Sequence, residues 1–307
     1  MKYALLFPGQ GSQSVGMLSG LEAPIIHQTF TEASEILGWD LRDLIENGPA
    51  EELNRTEKTQ PALLAAGIAV WRMWEAQAQT APAALAGHSL GEYSALVAAG
   101  SLQFSDALKL VELRGQLMQE AVPAGTGGMT AVVGMEDEAV ASLCAQCTSG
   151  VLEPANFNAP GQVVVAGEIA ALDWLDANGK QSGARMVKRL AMSVPSHCSL
   201  MRGAAEKLSQ ALADIEVKAP TIPVLHNLDA SPRQTPDGIR SALASQLFSP
   251  VRWTQTVQAL KSGGMNHMFE CGPGKVLSGL NKRIDKDIQS AALEDSAGLE
   301  AARQNLA

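Results

Sequence analysis

Gly87-His88-Ser89-Leu90-Gly91 is the stretch with the most chemistry in it. It is a G-x-S-x-G, the pattern that exposes a serine on a sharp turn between a strand and a helix. The apolar run Ala83 to Ala86 precedes it, and an apolar stretch of helical character follows through Ala99. The glycines allow backbones to approach where a Cβ would not fit, and the turn places Ser89 in a strained conformation. Its hydroxyl then stands at the carboxyl end of the strand. The helix N-terminus behind it favours a developing oxyanion. Those residues in that order point to a serine nucleophile. The competing reading is a Gly-rich turn with an idle serine.

A serine nucleophile needs a base. Of the five histidines, His27 falls on an amphipathic surface helix, and His88 is the variable residue of the turn, expected to point away from Ser89. His197, His226 and His267 all remain candidates. His197 follows Ser193-Val194-Pro195-Ser196; the other two fall at or near short predicted strands. No acid completes a triad cleanly, because Asp173 and Asp176 fall on a predicted surface helix. A cation stands out as well. Ala107, Val111, Leu117, Met118 and Ala121 recur at helical spacing, and Arg114 lies on the same apolar face. It is either a structural or snorkelling arginine, or a guanidinium whose planar fork awaits a carboxylate. Gly115 beside it leaves room for close approach.

The elements that must hold these residues follow from the pattern. Tyr3 to Phe7 is a buried strand, followed by Pro8-Gly9-Gln10-Gly11-Ser12-Gln13. That loop is not a dinucleotide fingerprint, since Ser14 stands where a third glycine is needed, nor a phosphate loop of the Gly-Lys-Ser type. Its backbone N–H groups suit either a tight turn or part of an oxyanion hole. Helices are expected at 25–37, 41–46 and from Thr59-Gln60-Pro61 through Trp74. Ser105 is expected to cap a helix running to Val122. The run 123–128 reads as a linker, and the pattern then changes. Strands at 129–134, 151–156, 162–166 and 185–190 alternate with helices at 137–147 and 169–177, with a turn at 158–161. Strand–helix–strand–strand–helix–strand is the ferredoxin-like order. Residues 125–194 are thus expected to form a small α+β subdomain inserted into a larger α/β unit made of 1–124 and 195–307. In the second part, helices are expected at 204–213, 239–247, around 257–260 and at 276–284, with strands at 222–226 and 268–270. The last residues read as a frayed tail.

Composition narrows the classes. The formal net charge of −9 argues against nucleic acid or an anionic membrane as partner. No apolar run approaches spanning length and no signal peptide is visible, so a cytoplasmic protein is expected. Cys144 and Cys147 form a lone C-x-x-C without a second pair, which reads as reduced core thiols and no metal site.

Taken together, several stretches resemble the malonyl-CoA:acyl carrier protein transacylases of bacterial fatty-acid synthesis over nearly the whole chain. They are 7–13, 59–64, 87–97, Arg114-Gly115, 156–158, 194–197, Gln246 and 272–275. The resemblance implies an α/β-hydrolase-like large domain carrying the ferredoxin-like insertion. It implies Ser89 as nucleophile, His197 as base, and the backbone N–H groups of Gln10 and Leu90 as oxyanion hole. It implies that Arg114 binds the malonyl carboxylate and that Gln246 lies beside the histidine, where a main-chain carbonyl replaces the missing acid. The substrates implied are malonyl-CoA and acyl carrier protein, with no cofactor beyond the coenzyme A thioester itself. Since such carriers are acidic, Lys275, Lys282, Arg283 and Lys286 are candidates for a docking patch. A malonyltransferase of a polyketide synthase shares the same motifs. A serine thioester hydrolase and a catalytically idle carrier-binding module are the more distant alternatives.

Overall fold

Tyr3, Leu5 and Phe7 alternate with Ala4 and Leu6 along a strand that is buried on both faces, and two apolar layers form against it. A computed structural model describes residues 1–307 apart from Glu22, Ala124, Ser193 and Ala307. Ala124 of the expected linker and Ser193 of the segment before His197 therefore lie outside the described residues.

In chain order the elements begin with β1 (Tyr3–Phe7), α1 (Pro24–Leu37), α2 (Leu41–Asn47), α3 (Ala50–Leu53), α4 (Thr56–Glu75), β2 (Ala84–Gly87), α5 (Gly91–Ala98) and α6 (Phe104–Glu120). Next come β3 (Gly127–Val133), α7 (Asp137–Ala145), β4 (Leu152–Ala159), β5 (Gln162–Glu168), α8 (Ile169–Asn178) and β6 (Met186–Arg189). The chain finishes with α9 (Arg202–Ala213), β7 (Val224–Leu225), α10 (Pro236–Gln246), α11 (Trp253–Ser262), β8 (His267–Glu270), α12 (Val276–Ile284), β9 (Gln289–Ala292) and α13 (Ser296–Leu306).

Among the described residues there are two sheets. One is parallel, in the order β7-β2-β1-β8-β9. Tyr3, Leu5 and Phe7 share a core with α1, α4, α5, α6 and α9, while Ala4 and Leu6 share another with α11 and α12. Helices on both faces of a parallel sheet make the large unit an α/β fold. The other sheet is antiparallel, β4-β5-β3-β6, with its own core of residues such as Val132, Val163, Val165 and Leu172. That order is the ferredoxin-like one, and all four strands fall inside 125–194. Phe157 N–H donates to Val251 O at 2.9 Å and Val251 N–H to Ala155 O at 2.8 Å. These two bonds dock β4 onto the segment that leads into α11.

Several local expectations are corrected. The buried helix α4 starts at Thr56, so Pro61 sits inside it rather than in its first turn. Ser105 lies within α6, whose N-cap is Gln103. Gly127 and Gly128 are paired in β3 with Glu168 and Gly167 rather than lying in a linker. Strand β4 runs on to Ala159, leaving only Pro160 and Gly161 to turn. Cys147 falls beyond the end of α7. The C-terminus is not a frayed tail: β9 pairs with β8, and α13 buries Leu299 and Ala302. Its weak local signal is overridden by tertiary pairing.

Close approach is the constraint that places the turn after β2. A Cβ on Gly91 would be driven into the carbonyl oxygen of Phe7, and one on Gly87 into the backbone of Gly91. Gly91→Ala should therefore lose roughly 1–3 kcal/mol or more of stability, in the range for overpacked sites. Gly279, exposed in α12 with nothing near its would-be Cβ, is the control. Its change to alanine should stabilise by about 0.5–1 kcal/mol. Urea unfolding of the two variants checks both signs.

Candidate active site

The loops after β1 and β2 meet at the carboxyl ends of neighbouring parallel strands, where ligands bind in open α/β sheets. Ser89 has φ 51°, the left-handed conformation expected of it. Asn227 holds the turn in that shape. Its Oδ1 accepts from Ser89 N–H at 2.7 Å, and its Nδ2 donates to Gly87 O at 2.6 Å.

His197, also in the left-handed region at φ 63°, has its Nε2 2.7 Å from Ser89 Oγ. The opposite ring nitrogen, Nδ1, lies 2.8 Å from the main-chain oxygen of Gln246 at the end of α10. A carbonyl only accepts, so Nδ1 carries the proton and Nε2 faces the serine as an acceptor. Asp173 and Asp176 pair with Arg189 instead. Burial, followed by the nearby Arg114 cation, lowers the pKa of His197 to about 3. The other histidines are elsewhere. His267 stands beside Tyr3 at the amino end of the parallel sheet. His226 is buried against Glu92 at 2.7 Å. His88 does not point away from the site: it lines the same cavity as Ser89, with Nε2 2.8 Å from Asn158 Oδ1.

Arg114 is 1% exposed. Gly115 makes its position reachable, since a Cβ there would stand 2.6 Å from Glu57 Cα and would push α6 off α4. The guanidinium donates to Gln60 Oε1 at 2.9 Å, Gln246 Oε1 at 3.1 Å and Ser89 Oγ at 3.2 Å. All three acceptors are neutral. Among the described residues no carboxylate forms an ion pair with it, and its Nε has no partner. A buried cation without a salt-bridge partner is costly unless something else supplies the charge.

The cavity in front of these groups has a volume of about 150 Å³. Gln10 and Leu90 line it, and among the described residues neither of their backbone N–H groups has a protein acceptor. Apolar walls come from Met118, Met129, Leu190, Met192, Val276 and Leu277. Serine, neutral imidazole, two free amide donors and a guanidinium are thus gathered on one small space. Such a set can form an acyl-serine and hold an anionic acyl group. Among the described residues no cluster of three or more metal-ligating side chains occurs. Sequence reasoning had given no role to Gln60, Glu92, Asn227 or Asn158. Gln60, Glu92 and Asn158 fall within the motif stretches, whereas Asn227 falls in none of them.

Comparison with known proteins agrees with this class of site. The acyl transferase domain family matches residues 4–297, so the chain is an acyltransferase-family protein. The malonyl CoA-acyl carrier protein transacylase of Escherichia coli strain K12 is 51% identical over 304 residues, covering 98% of each chain. That of Haemophilus influenzae is 52% identical over 309 residues, covering 99% of each. An acyl carrier protein S-malonyltransferase from Vibrio cholerae superposes with a TM-score of 0.95 at 53% identity, over 98% of this chain and 99% of that one. A malonyl-transacylase solved in complex with a type II PKS acyl-carrier protein superposes with a TM-score of 0.97 at 49% identity, over 99% and 100%. The chain belongs to the malonyl-CoA:acyl carrier protein transacylase family. Among the described residues no helix is long and apolar enough to cross a membrane.

The state of His197 is directly measurable. With its pKa held near 3 rather than at the ordinary 6.5, the imidazole should not titrate between about pH 5 and 8. Stability should respond in a defined direction. From about pH 6.5 down to about 3 the unfolded chain takes up a proton at this residue that the folded protein refuses. Its contribution to stability therefore falls as pH drops through that window. Nitrogen-15 NMR of labelled histidine checks the titration, and a midpoint near 6.5 would contradict it.

Proposed function

We propose that this protein transfers the malonyl group from malonyl-CoA to the phosphopantetheine thiol of acyl carrier protein through a malonyl-Ser89 intermediate, for fatty-acid chain elongation. One observation carries the reading. Among the described residues Arg114 is a buried guanidinium without a carboxylate partner, and it stands 3.2 Å from the oxygen that would carry the acyl group. Acetyl has no charge to offer it, whereas malonyl brings a free carboxylate into the same small cavity.

The steps use groups already in place. Ser89 Oγ attacks the thioester carbonyl while its proton passes to His197 Nε2. The N–H groups of Gln10 and Leu90 hold the tetrahedral oxyanion; losing one such donor typically costs about 10²–10³ in rate. The carbon–sulfur bond breaks, and the thiolate of coenzyme A takes the proton back from His197. The carrier thiol then enters, gives its proton to His197 and attacks the malonyl ester, and Ser89 is restored. In this scheme Gln246 orients the base and contacts the substrate-binding arginine, and no metal or redox cofactor is assigned. All four cysteines are free, which suits the reducing cytoplasm where we place the protein.

The carrier is met against like charge, given the net charge of −9. Of the cations expected in a docking patch, Lys275 is engaged by Glu294 at 2.9 Å and Asp295 at 3.7 Å, and Arg283 by Gln162 at 2.6 Å. Lys282 and Lys286 are the better candidates. The 49% identical neighbour bound to a type II PKS carrier supports a second reading, service to a polyketide synthase. Offering both kinds of carrier to the acylated enzyme decides between them.

Three variants test the assignment. Ser89→Ala should abolish the covalent malonyl adduct seen by intact-mass spectrometry, and His197→Ala should slow its formation by at least about 10²-fold. An adduct that persists in the serine variant would sink the mechanism. Arg114→Ala leaves a malonyl carboxylate buried and unpaired, a loss of about 2–5 kcal/mol. Its kcat/KM for malonyl-CoA should fall by roughly 30- to 4,000-fold, while acetyl-CoA holds or improves. Equal losses for the two substrates would make Arg114 a structural residue.

A further inference from the structure

Glu92 is wholly buried behind the cavity, in the first turn of the helix that follows the serine. Its carboxylate accepts from His226 Nδ1 at 2.7 Å, from Asn227 N–H at 2.8 Å and from Gln246 Nε2 at 3.0 Å. A carboxylate has only acceptors, so it dictates the orientation of whatever faces it. The amide of Gln246 has no freedom left. Its nitrogen faces Glu92, the main-chain oxygen of Ser89 at 3.0 Å and Asn227 Oδ1 at 3.4 Å, all acceptors. Its oxygen must then face the other way, where Arg114 Nη2 donates to it at 3.1 Å. A flipped amide would set an NH₂ against the guanidinium and an oxygen against the carboxylate.

We infer that Glu92 is a positioning residue. Acting through Gln246, it aims the guanidinium of Arg114 and so sets the preference for acyl groups that carry a free carboxylate. The inference rests on the proposed malonyl transfer and adds what makes that transfer selective. It depends on the reach of an acceptor, not on the charge of Glu92, and this separates it from a purely electrostatic role. His226 records the same arrangement. Facing a carboxylate, it carries its proton on Nδ1, and its buried Nε2 has no partner among the described residues.

Substitutions that exchange charge for reach test it. Glu92→Gln keeps the length. Its oxygen can accept from Asn227 and Gln246 while its NH₂ donates to His226 Nδ1, provided the histidine moves its proton to the free Nε2. Glu92→Asp keeps the charge but withdraws the acceptors by one carbon, so the carboxylate no longer spans His226, Asn227 and Gln246 together. The ratio of kcat/KM for malonyl-CoA over acetyl-CoA should stay within about threefold of wild type in Glu92→Gln. It should fall by about tenfold or more in Glu92→Asp. Nitrogen-15 NMR should show the Nδ1–H form of His226 in the wild type and the Nε2–H form in Glu92→Gln. A ratio lost in Glu92→Gln and kept in Glu92→Asp would overturn the inference, as would equal losses for both substrates or an Nε2–H form in the wild type. A wild type that transferred neither acyl group would overturn the parent reading instead, and the histidine signals would still decide whether Glu92 orders the network.

Discussion

A full positive charge held in the interior, with no salt-bridge partner among the described residues, is the constraint around which the site is built. Arg114 is 1% exposed and hydrogen-bonded only to neutral oxygens. Desolvation works against its charge, yet a guanidinium keeps its proton in proteins. The protein tolerates the cost because the acceptors are arranged in advance: Gln60 on α4, Gln246 on α10 and Ser89 at the turn. Each comes from a different part of the chain, so the cation can be held this way only in the complete fold.

A second constraint is steric and lies in the backbone. Gly91 lies so close to β1, and Gly87 so close to the backbone of Gly91, that neither position admits a side chain, and Ser89 is pushed into a conformation that costs of order 1–3 kcal/mol. Asn227 offsets this by clamping the turn on both sides, at Ser89 N–H and Gly87 O. Its own backbone N–H is held by Glu92, which in turn orders Gln246. Strain at the serine and polarity at the arginine are thus tied to one buried hydrogen-bond network, in which partly satisfied members are costly.

Local signals in the sequence revealed what local forces fix. Tyr3–Phe7 and Val276–Ile284 were readable to the residue because apolar runs and periodicity define them. The strand order of the small sheet followed from its element order. Gln289–Ala292 was not readable, since it is a strand only by virtue of lying beside β8. In the site, the G-x-S-x-G and an arginine on an apolar face announced themselves. The choice of His197 over His226 and His267 came from resemblance, because nothing in spacing separates them. Glu92 and Asn227 were silent for a physical reason: their bonds join residues 135 positions apart, and no short-range pattern encodes such a contact.

That a main-chain oxygen and, among the described residues, no acidic side chain orients His197 fits the presence of Arg114. A carboxylate orienting the imidazole would add a mobile anion next to the guanidinium. It would pair with the cation and repel the carboxylate of a malonyl group. The main-chain oxygen of Gln246 fixes the same tautomer as a neutral dipole and leaves the arginine available. Glu92 escapes this conflict because three donors already occupy it. The depressed basicity of His197 has burial as its first cause and the Arg114 cation as its second. The cation that helps to lower its pKa to about 3 is the one a malonyl carboxylate would neutralise. In the proposed reaction the field on the imidazole is therefore relieved as the substrate arrives, when His197 must take the proton of Ser89. An acetyl group would bring no such relief, so charge on the acyl group serves both recognition and the base.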